Sequence, residues 1–250
     1  LVLRARTEIV NAPADGVSAP PAGFVEREGD CCKMEKMILV LATRNRGKSA
    51  EIRALLEGFP VEVRDLNDFG PIPEVVEDGA TFDDNAYKKS SFVAKVIGFP
   101  ALADDSGLEA AALGGAPGVH SARYAGENAT DEANNAKLLK ALEGVEDRSA
   151  RFQCVLSLAV PTGAALTYEA TCEGVILDAP RGQNGFGYDP LFYYPELGKT
   201  FGEMSIEEKS RVSHRGKALA EFRGEIDKVM KWVHLRTEEE KRLRGVGHSH

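Results

Sequence analysis

The apolar run Ile38-Leu39-Val40-Leu41-Ala42-Thr43 passes through the basic turn Arg44-Asn45-Arg46-Gly47 straight into a helical stretch, Lys48 to Leu56, that stops at Gly58. A short apolar run bounded by turn residues reads as a buried strand. A strand that turns directly into a helix belongs to a sheet with helices packed on it. The rest of the chain repeats the mixture. Val61-Glu62-Val63 is a second strand, and a loop with Pro71 and Pro73 follows. Thr81 is placed to cap a helix from Phe82 to Ile97, which Gly98 and Pro100 terminate. Ala101-Leu102-Ala103 is a strand leading into Asp104-Asp105-Ser106-Gly107. After the Gly-rich loop Gly114 to Gly118, a helix is predicted from about Asp131 to Leu142. Phe152 to Val160 and Ala165 to Leu177 flank Pro161-Thr162-Gly163 as a hairpin. Gly182 to Gly187 is a loop, Leu191 to Tyr194 a short strand, and Ser213 caps a last helix to about Val233. There are no internal repeats. The predicted class is α/β, with a long mixed β-sheet flanked by helices.

The bulk numbers set limits on partners. The chain has 250 residues, 43% hydrophobic and 28% charged, which is the composition of a globular protein with a sizeable core. Its formal net charge is −8. That argues against coating a nucleic acid, which needs clustered positive charge, but suits carboxylates that hold a divalent cation. No apolar stretch is long enough to span a membrane. Cys31, Cys32, Cys154 and Cys172 have no zinc spacing, and the expectation is reduced thiols in a cytoplasmic protein, with Cys154 and Cys172 in the core. Residues 1–36 show no helical or strand period and lack the apolar segment of a signal peptide. They read either as a disordered tail or as sequence upstream of a start at Met34 or Met37. Residues 37–235 are the expected folded domain, and 236–250 a charged tail.

Chemistry is written in five places. The loop Thr43 to Lys48 opens onto a helix N-terminus, where free backbone N–H groups suit a phosphate. Arg44, Arg46 and Lys48 add charge, and Ala42-x4-Gly47-Lys48-Ser49 is a Walker A loop but for its first Gly. The same text also reads as an exposed basic turn. Asp104-Asp105-Ser106-Gly107 follows a buried strand, where ligands of α/β sheets bind; it invites a cation or general-base chemistry, or is a plain turn. Successive strand residues face opposite sides, so the two Asp residues need not share a role. Lys89 falls in the apolar stripe of Phe82, Ala86, Val93 and Ile97, where an ammonium needs an anion or must snorkel out. Asn85, one turn earlier, is placed to line the same cleft. The last helix carries Leu219, Phe222, Ile226, Val229 and Val233 on one face, with Arg215 on that face beside His214, and Lys209 just upstream. In Phe186-Gly187-Tyr188-Asp189, a ring could stack on a base and Asp189 accept from its N–H edge; alternatively this is a tight aromatic turn.

These pieces occur together, in order, in one family. From about Met37 to Val233 the chain resembles the inosine/xanthosine triphosphate pyrophosphatases. The matching text is Ala42-Thr43-x-Asn45-x-Gly47-Lys48, Glu77-x-Gly79-x-Thr81-Phe82 with Asn85-Ala86, Ala103-Asp104-Asp105-Ser106-Gly107-Leu108, and Gly114-Gly115-Ala116-Pro117-Gly118-Val119-x-Ser121-Ala122-Arg123-Tyr124. Gly185-Phe186-Gly187-Tyr188-Asp189-Pro190, Glu207-Glu208-Lys209-Ser210 and Ser213-His214-Arg215-Gly216-Lys217-Ala218 complete it. The resemblance implies an elongated α/β protein with a nucleotide cleft between two lobes, a homodimer, Mg²⁺, and cleavage between the α- and β-phosphates. It implies that Thr43, Arg44, Asn45, Arg46, Gly47 and Lys48 hold the triphosphate with Lys89. Glu77 and Asp105 would carry the metal, with Asp105 as general base. Ser106 would contact substrate. Phe186, Gly187, Tyr188, Asp189, Lys209, His214 and Arg215 would form the base pocket. Arg44 stands where relatives often carry a small residue.

The physics of this reading is consistent. A metal polarises phosphoryl oxygens and lowers the pKa of its water, and a carboxylate takes the proton. Donors such as Lys209, His214 or Arg215 aimed at O6 of hypoxanthine or xanthine would meet adenine's amino group instead, an unpaired arrangement that discriminates strongly. Guanine shares O6 and N1–H, so the argument separates adenine alone. Two other readings are a P-loop NTPase, with Ala101 to Asp105 as its Walker B strand and cleavage at the γ-phosphate, and a nucleotide-sensing module without catalysis.

Overall fold

A computed structural model describes residues 2–4 and 36–246. The sheet has eight strands. β1 is Val2–Arg4, β2 Met37–Leu41, β3 Val61–Asp65, β4 Ala101–Ala110, β5 Ser149–Ala159, β6 Ala165–Ile176, β7 Phe192–Tyr194 and β8 Lys199–Thr200. They run in the order β3-β2-β4-β5-β6-β7-β8, with β1 paired to β6. β2 is parallel to both β3 and β4, while β4, β5, β6, β7 and β8 pair antiparallel in succession. The sheet is therefore mixed, as the sequence predicts. Its long centre comes from β4, β5 and β6, which stay in register from Ala101↔Ala159 to Ala110↔Ala150 and from Ser149↔Val175 to Ala159↔Ala165.

Six α-helices are described: α1 Arg46–Leu55, α2 Phe82–Ile97, α3 Asp131–Ala141, α4 Ile206–Val212, α5 His214–Gly224 and α6 Ile226–Val246. Their starts are set by side-chain caps. Thr81 accepts the N–H of Asp84, and Gly98 ends α2 in the left-handed conformation at φ 80°. Such a cap contributes about 1 kcal/mol. Period-two alternation then sorts the sheet's two faces. Leu39 and Leu41 of β2 and Leu102 of β4 pack with Ile52 of α1 and Leu219 and Phe222 of α5. Val40, Ala42, Ala101 and Ala103 pack on the other face with Val93 and Ala94 of α2. Further along β4 and β5, Leu108 and Phe152 join Leu138 of α3, Phe192 and Phe201 in a separate cluster. Cys154 and Cys172 are buried free thiols; Cys31 and Cys32 lie outside the described residues. Among the described residues no helix is long and apolar enough to cross a membrane.

Three local expectations change. Asp104-Asp105-Ser106-Gly107 is not a turn after a strand but the middle of one. β5 pairs along the whole of β4, so the two carboxylates are held in a ladder, not at its end. The helix starting at Ser213 does not run unbroken to Val233. It breaks at Glu225, whose backbone N–H turns back to carbonyls of the last turn of α5, and α6 continues through Val246 across most of the expected charged tail. Within residues 1–36, Val2–Arg4 lies parallel to Ala165–Thr167 of β6 although its sequence shows no strand period. The expectation for 5–35 falls outside the described residues.

Candidate active site

Strand alternation divides the acidic pair. Asp104 faces the α1 and α5 side, and Asp105 faces α2. The Asp104 carboxylate, fully buried, accepts from Arg215 Nε at 2.8 Å and Nη2 at 3.3 Å, from Lys48 Nζ at 2.5 Å, and from Ser106 Oγ at 2.8 Å. Asp105 accepts from Lys89 Nζ at 2.6 Å, and Glu77 lies 3.4 Å from the same ammonium. Lys89 therefore meets anions within the apolar stripe and does not snorkel outward.

Two cavities adjoin over this strand. The first, about 430 Å³, is lined by Thr43, Arg44, Lys48, Glu77, Lys89 and Asp105, among others. The second, about 160 Å³, is lined by Phe152, Phe186, Asp189, Lys209, His214 and Arg215, among others. Asn45, Lys48, Ser106 and Ala122 line both. On the first side, Asn45 caps α1 by accepting Lys48 N–H at 3.1 Å, and Thr43 Oγ1 accepts Asn45 N–H at 3.1 Å. Arg44 donates to the Leu66 carbonyl at 3.0 Å. On the second side, Glu51 of α1 joins two cations, with Lys209 Nζ at 3.0 Å and Arg215 Nη1 at 2.6 Å. Lys209 also reaches Asp189 at 2.6 Å. Both cations lie over the Phe186 ring, at 4.9 Å and 5.5 Å from its centroid. Gly47 permits this ring's approach, since a Cβ there would stand 3.0 Å from it. Gly187 holds a left-handed φ of 63° and is tied to α3 through Asp131, which accepts its N–H at 2.6 Å, and Asn135, which donates to its carbonyl at 3.0 Å.

The charges tune one another. Burial pushes the Asp104 carboxyl up, but the Arg215 guanidinium and the Lys48 ammonium outweigh it and hold the group well below the usual carboxylate range. Burial also raises Asp105, and there the ammonium groups of Lys89 and, more weakly, Lys48 only partly offset it. Asp189 is raised by burial against the pull of Lys209. Burial and the neighbouring Arg215 charge press His214 well below its ordinary value. Its ring stacks on Phe152 at 4.6 Å, and its Nδ1 is buried without a partner among the described residues.

The described residues contain no group of three His, Cys, Asp or Glu placed to hold a metal. Asp104 is paired with two cations, and the other carboxylates lining the first cavity are Glu74, Glu77 and Asp105, of which Glu77 and Asp105 converge on Lys89. Two carboxylates, completed by substrate oxygens and water, are the donor set Mg²⁺ commonly takes, so the residues present fit that ion.

A sequence model of the Ham1 family matches residues 39–225. The chain belongs to the Ham1 family. The dITP/XTP pyrophosphatase of Syntrophobacter fumaroxidans is 73% identical over 215 residues, covering 86% of this chain and 93% of that protein. The dITP/XTP pyrophosphatase of Desulfotalea psychrophila is 59% identical, covering 82% and 92%. Among solved structures, the HAM1 protein of Coxiella burnetii superposes with a TM-score of 0.71 at 44% identity, covering 77% of this chain and 99% of that one. The Staphylococcus aureus Ham1 protein gives 0.69 at 42% identity, covering 76% and 98%.

Within this Ham1 chain most of the residues singled out in the sequence border one of the two cavities. Arg46 does not: it is exposed at the start of α1 and lines neither. Asn85 does not line the cleft; its Oδ1 accepts Gly79 N–H at 2.8 Å and pins the loop that carries Glu77. Asp189 lines the smaller cavity, where one of its oxygens accepts Phe186 N–H at 2.9 Å and Lys209 Nζ at 2.6 Å. Tyr188 also lines the smaller cavity, and its hydroxyl donates to the Ser121 carbonyl at 2.8 Å. Sequence reasoning singled out Asp104 and quoted Arg123 within a motif without giving either a role, and it left out Glu51, Asp131 and Asn135. Glu51 had a local signal, three residues after Lys48 on one helix face. Asp131 and Asn135 had none.

Proposed function

We propose that this chain hydrolyses non-standard purine nucleoside triphosphates (ITP, dITP and XTP) to the monophosphate and pyrophosphate, removing them from the nucleotide pool. The names of its relatives in the Ham1 family support this reading. The observation that carries it is the pair of adjoining cavities. One has cations and an acidic pair for a polyanion, the other aromatic rings with Lys209, His214 and Arg215, and they share Lys48 and Ser106.

In this reading the base stacks on Phe186, and Lys209, which Glu51 and Asp189 orient, presents its ammonium to O6. The triphosphate lies along the Thr43–Lys48 loop, where it competes with Asp104 and Asp105 for Lys48 and Lys89. Glu77 and Asp105 would hold Mg²⁺, which when bound supplies electrostatic stabilisation of phosphoryl oxygens and a more acidic water. Asp105 takes a proton from the attacking water as its oxygen bonds to phosphorus. The bond bridging the α- and β-phosphates breaks, and pyrophosphate leaves with its electron pair. Burial keeps Asp105 a better base than an exposed carboxylate. The working protein is a cytoplasmic homodimer with its cleft between two lobes, which sedimentation of the full chain tests.

The reaction is tested by product analysis on ITP, XTP, dITP, GTP and ATP with Mg²⁺. The expected result is pyrophosphate and monophosphate, fast with ITP or XTP and slow with ATP and GTP. Orthophosphate and a diphosphate would move the case to γ-phosphate cleavage, and no turnover to a sensing module.

A further inference from the structure

Four cations line the larger cavity, and three of them have an evident account. Lys48 is paired with Asp104, and Lys89 with Asp105 and Glu77. Arg44 is exposed and donates to the Leu66 carbonyl. The fourth, Arg123, is half-buried at the end of the 3-10 turn Gly118–Arg123. Among the described residues its one hydrogen bond runs from Nη2 to the Glu77 carbonyl at 3.0 Å, and no carboxylate lies within ion-pair distance. A guanidinium carries five N–H donors in a fixed fork, so four of them remain for a ligand. A partly buried guanidinium with no carboxylate beside it is costly unless an anion is its partner, and its fork matches phosphate bidentately.

We propose that Arg123 is a substrate-binding residue that grips the pyrophosphate half of the triphosphate. The proposal rests on the nucleotide reading of the two cavities and deepens it. Arg123 lines the larger cavity and is absent from the smaller one. With the base in the smaller cavity, the chain of phosphates crosses at Lys48 and Ser106, and its terminal part lies where Arg123 and Lys89 are. Arg123 then supplies fixed positive charge to the departing pyrophosphate. Through the Glu77 carbonyl it also keeps that charge next to the Glu77 loop.

The test compares the full chain with Arg123→Gln and Arg123→Lys. Binding of inorganic tripolyphosphate and of IMP is measured by calorimetry with divalent metal chelated, so that Glu77 cannot act through a metal. Arg123→Gln should weaken tripolyphosphate about tenfold or more, as expected for a lost charge-assisted pair, and leave IMP within about twofold. Arg123→Lys, which keeps the charge but not the fork, should recover part of the loss. Equal weakening of both ligands in Arg123→Gln, or no weakening of either, overturns the proposal. Failure of the wild-type chain to bind IMP or hydrolyse ITP would instead strike the nucleotide reading, while the tripolyphosphate comparison would still report on Arg123.

Discussion

Arg215 donates through Nε to Asp104 at 2.8 Å across 111 residues of chain, in a pair whose side chains are 3% and 0% exposed. The pair joins the two ends of the site. Arg215 also reaches Glu51, and with it Lys209, while Asp104 holds Lys48. The base-side and phosphate-side cations therefore share one buried network of carboxylates.

Removing Asp104 should leave Lys48 without its carboxylate and Arg215 with Glu51 alone. Breaking a buried pair by deleting one partner costs about 3–5 kcal/mol, so Asp104→Ala should lower the denaturant midpoint accordingly. The sign with pH follows from the depressed carboxyl. Its contribution is complete above the carboxyl's unfolded value and is lost as pH falls through the lower folded value. Urea unfolding of both chains across the acid range measures this, and the two should converge in stability towards low pH.

Asp105→Asn should abolish turnover and spare binding. Loss of a general base typically costs about 10²–10⁴ in rate. Single-turnover kinetics on ITP, with IMP affinity measured alongside, separates the two effects. An unchanged rate would remove the role assigned to Asp105.

Lys89 should set the acid limb of the pH–rate profile. Asp105 works ionised, its carboxyl is raised by burial, and Lys89 lowers it. Activity should fall as pH drops through that raised value. Lys89→Met deletes the lowering charge and should move the limb to higher pH, with a weaker KM for ITP. A limb that stays in place would show that another group controls it.

His214 should make the fold sensitive near neutrality. Its folded value lies well below its ordinary 6.5, chiefly through burial. Between the folded value and 6.5 the unfolded chain binds more protons, so stability falls as pH falls through that window. His214→Phe keeps the stack on Phe152 and removes the titration. Its melting temperature should drop less than that of the wild type between about pH 7.5 and about pH 5.5. Equal drops in the two proteins would contradict this account.

The sequence by itself determined the local structure. Apolar runs marked the central strands, Thr81 and Ser213 marked helix starts through caps that lie beside the N–H groups they satisfy, and the stripe of α2 required Lys89 either to meet an anion or to snorkel out. Ordered motifs also marked the family. These signals span a few residues, so a linear text carries them. The three-dimensional fold alone decided which anions Lys89 meets, that Asp104 and Asp105 lie within a strand paired along its length by β5, and that Glu51 gathers Lys209 and Arg215 from 158 and 164 residues away. It alone placed Arg123 at the larger cavity, beside Lys89 and Glu77. Charges at such separations carry no periodicity that relates them. Their partnership is fixed only when sheet pairing and helix packing bring them out of water together, where an unpaired charge is costly.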